Sequence, residues 1–133
     1  MGKQLWKPGN MLYPLPAVMV SCADKEDHKN ILTIAWTGTI CTDPAMVYIS
    51  VRSSRHSYEM IKETGEFYIN LTTEALAYCT DYCGVKSGRD VDKFERLHLT
   101  PEMGILKYAP MIQESPVCIA CERVRIEELG SHD

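Results

Sequence analysis

Residues 30–61 read "NILTIAWTGTICTDPAMVYISVRSSRHSYEMI", and the way this stretch folds decides the architecture. In 31–40 the even positions Leu32, Ile34, Trp36 and Ile40 are apolar, whereas Thr33, Ala35, Thr37 and Thr39 carry hydroxyls and one methyl. Side chains alternate across a strand, so this pattern predicts one strand with a core face that includes Trp36 and a second face able to hold a polar ligand. Asp43–Pro44 turns the chain into a further strand. That strand gives way to Ser50, Ser53, Ser54 and Ser57 interleaved with Arg52, Arg55 and His56. The segment "YEMIKETG" then has the length and terminal Gly65 of a two-turn helix, with Tyr58 and Ile61 on one side.

The strand–helix junction is unusual in charge. The chain has a formal net charge of −4, yet no Asp or Glu occurs from Pro44 to Tyr58. A helix N-terminus exposes unpaired backbone N–H groups and a partial positive charge, and neighbouring arginines add forked donors matched to phosphate oxygens. Serines there can both cap the helix and donate to an oxyanion, with Ser54 or Ser57 as the capping residue. The alternative is that Ser54 only caps and the arginines are solvated surface. No glycine-rich cradle of the P-loop or dinucleotide type is present, so a phosphorylated ligand would be held in another manner.

Outward from this stretch, 133 residues make a single domain, 1–133, with one core. Hydrophobic content of 45% and charged content of 24% are those of an ordinary globular protein. The acidic balance argues against a nucleic-acid binder, which carries a basic excess. The N-terminal apolar run is short and broken by Pro14 and Pro16, so neither a signal peptide nor a membrane span is expected. A cytoplasmic protein is therefore expected, with its six cysteines reduced.

The remaining pattern is mostly strand. Residues 16–22 read as a short buried strand and 66–71 as a further strand; 72–84 reads as a helix capped by Thr72 or Thr73 and stopped by Gly84. Leu76, Cys79 or Thr80, and Cys83 share one stripe of that helix, and 90–97 is a short second one after a loop. Residues 115–129 read as a long final strand whose apolar positions switch from odd (Val117, Ile119, Cys121) to even (Val124, Ile126), which predicts a bulge near Glu122 and Arg123. The consistent picture is a mainly β, antiparallel small barrel with helical insertions.

Cys79/Cys83 and Cys118/Cys121 could be taken as a four-thiolate metal site, since soft metals take two such pairs. The helical pair shares a core stripe with Leu76, and a spacing of three on a strand puts Cys118 and Cys121 on opposite faces. Buried thiols are the simpler reading, and no metal ligands are assigned.

The ordered set formed by the opening stretch, "TGEFYIN" (64–70), "SGRDVDKF" (87–94) and "GSHD" (130–133) resembles the flavin reductase-like, FMN-binding split-barrel family, flavoredoxin type. The resemblance implies a six-stranded antiparallel split β-barrel, a homodimer, and non-covalent FMN near the subunit interface. NADH or NADPH, another flavoprotein or an iron–sulfur partner would supply electrons. Carried over by position, Ala35, Trp36, Thr37 and Gly38 pass the isoalloxazine. Ser50, Val51, Arg52 and Ser53, with His56 and Ser57, wall the ribityl chain and phosphate. Lys93 faces the phosphate or the partner subunit, and His132 lies near flavin and nicotinamide, with Ser131 where the family has Asp. No catalytic residue is implied. Family members continue past this histidine, so a final strand and tail are expected to be missing. The implied function is an NAD(P)H-dependent flavin reductase; the alternatives are an FMN electron carrier without nicotinamide activity, and a thiol–metal protein.

Overall fold

A computed structural model describes residues 1–133. The fold is built on a central strand, β1 (Val18–Ala23), whose six residues are all buried. Its continuous apolar run suits that position, because β1 is paired on both edges and packed on both faces. The first partner is β2 (Lys29–Ile34), reached by the tight turn at 24–28; the other is β5 (Glu66–Asn70), which also pairs β8 (Cys118–Glu122). The four make one antiparallel sheet in the order β2-β1-β5-β8. Strands β3 (Thr37–Thr42) and β4 (Ala45–Ile49) form a separate antiparallel hairpin. These six strands of five or six residues are joined by a small hairpin of two three-residue strands, β6 (Pro101–Met103) and β7 (Pro110–Ile112), which the sequence pattern did not disclose.

One face of the main sheet, with Val20, Leu32, Ile34 and Phe67, packs on Tyr58, Met60 and Ile61 of helix α1 (His56–Thr64). The opposite face, with Met19 and Ile31, packs on Leu76, on Cys83 of helix α2 (Ala77–Val85) and on Phe94 of helix α3 (Lys93–Arg96). Buried polar groups tie the small hairpin in: the Asn70 amide donates to Met19 O at 2.9 Å, and its Oδ1 accepts from Ile112 N at 3.0 Å. No helix is long and apolar enough to cross a membrane.

Four expectations need correction. Residues 31–40 are not one strand: β2 stops at Ile34, β3 starts at Thr37, and Ala35 and Trp36 form a corner where Trp36 O accepts from Ser50 N at 2.9 Å. The two halves follow different partners, so Ile40 is 62% exposed and Trp36 is half-buried rather than core. The bulge lies between Thr39 and Cys41, not near Glu122; β8 simply ends there, its last bond running from Arg123 N to Gly65 O, where β5 has no further residue to offer. Neither Ser54 nor Ser57 caps α1, because the N-cap is Arg55 and makes no side-chain capping bond. The helix of 72–84 begins as a 3₁₀ turn (Glu74–Leu76) and runs past Gly84 to Val85. Thr73 holds the N-cap position without a side-chain bond, and Thr72 donates to Ala17 O instead. Gly84 lets α2 approach Thr33, whose Cβ would lie 3.4 Å from an added methyl.

Candidate functional site

Two clefts meet at the N-terminus of α1, sharing Leu32 and Arg55. The first, about 200 Å³, is cut into the β2–β3 corner. Leu32 and Ile34 bring the core to its floor, Ala35 and Trp36 form one wall, and Ser50, Val51 and Arg52 form the other. His132 closes it, with its ring 4.5 Å from that of Trp36 and inclined by 39°. The tail carrying His132 is fastened by its neighbour Asp133. Val51 N donates to Asp133 O at 2.9 Å, and Asp133 N donates back to Val51 O at 3.0 Å. The Tyr58 hydroxyl donates to Asp133 Oδ2 at 2.6 Å, and this bond to a carboxylate pushes its pKa up to about 12.

The second cleft, about 160 Å³, has a different chemistry. Arg55 and His56 come from the start of α1, Lys86 and Arg89 from the α2–α3 loop, and Lys93 from α3, while no Asp or Glu lines it. None of these cations lies within ion-pairing distance of a carboxylate; every ion pair of the chain lies within 24–29 or 125–127. Lys93 is 2% exposed, and its Nζ donates to Ile31 O at 2.6 Å and Cys83 O at 2.9 Å. An ammonium has three N–H groups, so one remains, and burial pushes this amine down to about 8. Burial also lowers His56, with Arg89 and Lys93 adding repulsion of the charged form. At the back, Asn30 Nδ2 donates to Ser57 Oγ at 2.7 Å. Arg89 bridges the mouth by donating to Ser54 O at 3.0 Å, and Arg55 reaches the end of α2, donating to Gly84 O at 3.2 Å.

The residues singled out in the sequence are thereby divided. Ala35, Trp36, Ser50, Val51, Arg52 and His132 line the first cleft; His56, Ser57 and Lys93 line the second. Thr37, Gly38 and Ser53 line neither, and Thr37 Oγ1 is engaged by Tyr48 O at 2.7 Å. Sequence reasoning missed Asn30, Lys86, Gly88 and Arg89. The cations and glycine of "VKSGRD" were a signal of an anion-facing loop; Asn30 had none, being an ordinary polar residue beside a turn.

The thiols are not gathered. All six cysteines are free, and no three His, Cys, Asp or Glu side chains converge as a metal site would require. Burial raises Cys22 to about 12, and Cys83 and Cys121 to about 11, so these three are protonated at neutral pH and poor metal ligands.

Comparison with known proteins gives one consistent answer. The family model of the flavin reductase like domain matches residues 11–133. The flavoredoxin of Desulfovibrio vulgaris (Miyazaki F) is 31% identical and superposes with a TM-score of 0.87, covering 98% of this chain and 70% of its own. A split barrel domain protein of Shewanella frigidimarina, 22% identical, superposes with a TM-score of 0.78 over 86% of this chain and 58% of its own. An uncharacterized protein of Archaeoglobus fulgidus is 30% identical over 122 residues, which is 91% of this chain and 67% of its own length. The architecture is the mainly β split barrel that the resemblance implied. Matched by that model over nearly its whole length, the chain belongs to the flavin reductase-like domain family.

Proposed function

We propose that this protein holds FMN non-covalently, with the ring system in the first cleft and the phosphate in the second, and that it is an NADH- or NADPH-dependent flavin reductase. One observation carries the reading: a cationic, carboxylate-free cleft with a buried lysine adjoins, across Leu32 and Arg55, a cleft walled by Trp36 and His132. Five cationic or titratable basic groups left without acidic partners in a chain of net charge −4 suit a phosphate monoester. The helix N-terminus beside them favours the same charge.

On this reading Ala35, Trp36, Thr37 and Gly38 pass the ring, and Ser50, Val51, Arg52 and Ser53 follow the ribityl chain. His56, Ser57 and Lys93, joined by Asn30, Arg55 and Arg89, hold the phosphate. The flavin, when bound, supplies the chemistry, accepting two electrons as hydride and passing them on. The protein's residues bind it, orient it and exclude water. No side chain is assigned a catalytic role.

A second reading, an FMN electron carrier fed by a protein donor, is favoured by the 31% identity with a flavoredoxin. Steady oxidation of NADH or NADPH with FMN present supports the reductase; bound flavin reduced only by a protein donor supports the carrier. The functional unit is a homodimer, a reading supported by exposed apolar residues on β3 and β4 (Ile40 at 62%, Tyr48 at 46%) and along the N-terminal segment (Trp6 at 67%, Leu12 at 82%). Six unpaired cysteines accord with a cytoplasmic, reducing setting.

A further inference from the structure

We propose that Tyr58 is a positioning residue: through Asp133 it fixes the His132 ring over Trp36 as the closing wall of the first cleft. The consequence for ligands rests on the flavin reading above; the positioning itself does not. Residues 123–131 belong to no strand and are mostly exposed. Gly130, at φ 139, takes a conformation that residues with a Cβ rarely adopt and turns the chain back. Within 131–133 it is Asp133 that bonds to the barrel, through the two backbone bonds to Val51 and the Tyr58 hydroxyl; the Ser131–His132 contact is local.

Tyr58 is suited to the task. It is 8% exposed and belongs to the same core cluster as Leu32, Met60 and Ile61, so packing directs its hydroxyl to one place. Removing that hydroxyl leaves the Asp133 carboxylate without its donor and free to turn to water. His132, the residue before it, is then held by its tilted contact with Trp36 and by the two backbone bonds between Asp133 and Val51 alone. The phosphate cleft is lined by none of Tyr58, Trp36, His132 and Asp133.

The test compares Tyr58→Phe, Asp133→Ala and Asp133→Asn in the full chain, with two readouts. Stacking at 4.5 Å puts the His132 ring protons in the indole ring current, so their NMR signals, assigned by their loss in His132→Gln, are displaced upfield. Tyr58→Phe and Asp133→Ala, which keep the two backbone bonds to Val51, are expected to reduce the displacement, and Asp133→Asn, whose amide oxygen still accepts from Tyr58, to keep it in full. FMN and riboflavin binding should both fall by a common factor of about ten in the first two variants, the equivalent of one lost hydrogen bond to a charged group. An unchanged displacement in Tyr58→Phe, or its loss in Asp133→Asn, overturns the proposal. Should Tyr58→Phe fail to fold, the two Asp133 variants decide by the same signals. If the expected NMR pattern appears but the parent protein binds neither flavin, the positioning role stands and the flavin reading falls.

Discussion

Lys93 carries the sharpest chemistry of the molecule at the scale of one residue. It is buried, it has no carboxylate partner, and its two backbone acceptors leave one N–H for a ligand. Replacing it by Met keeps the bulk and removes the charge. FMN affinity should then drop by about 1.5–3 kcal/mol, the cost of a lost hydrogen bond to a charged group, with riboflavin affinity unaltered in a parallel titration. The same amine sets a pH dependence. In the folded chain it loses its proton near pH 8, below the ordinary lysine value, so FMN binding should weaken as pH rises through about 8 while riboflavin binding does not. Above that point the unfolded chain holds the extra proton, so the Lys93 contribution makes the protein without ligand more stable as pH rises; denaturant titrations on both sides of pH 8 read this slope. Lys93 was legible in the sequence only through its place in "SGRDVDKF". Asn30 was not legible at all, because what makes it a site residue is its bond to Ser57, 27 positions away.

At the scale of elements, the sequence told strand from helix well and strand ends poorly. Alternation runs unbroken through Ala35 and Trp36, so nothing local marks the corner; the break exists because β2 pairs with β1 whereas β3 pairs with β4. The phase change after Cys121 marked where β8 runs out of partner, not a bulge. Gly65, by contrast, was fully readable. It ends α1 at φ 71, and Gly65→Ala should cost about 1 kcal/mol in a urea titration without altering the relative affinities for the two flavins. Gly88 acts on the site instead. A methyl there would collide with the Asn30 carboxamide, so Gly88→Ala should push the 86–90 loop outward and open the second cleft. FMN affinity should fall while riboflavin affinity changes little, which a side-by-side binding titration decides.

At the scale of the whole molecule, a net negative chain gathers unpaired cations at one cleft. This field should attract a phosphorylated flavin from a distance, so its association rate should fall as salt is raised. Sedimentation equilibrium should give twice the chain mass, the exposed side chains of β3 and β4 being the surface covered; a monomer at all concentrations would remove the homodimer. The overall class was legible because central strands buried on both faces and antiparallel turns leave strong local patterns. The site was half legible because its two clefts join four separate parts of the chain: the β2–β3 corner, the start of α1, the 86–93 segment and the tail. The decisive measurement is the dissociation constant of FMN against that of riboflavin for the parent protein and Lys93→Met at neutral pH. FMN should bind the parent protein at least about tenfold more tightly than riboflavin, and the advantage should shrink by about tenfold or more in the variant. Equal affinities in the parent protein, or an FMN advantage undiminished in Lys93→Met, would contradict a phosphate held in the second cleft.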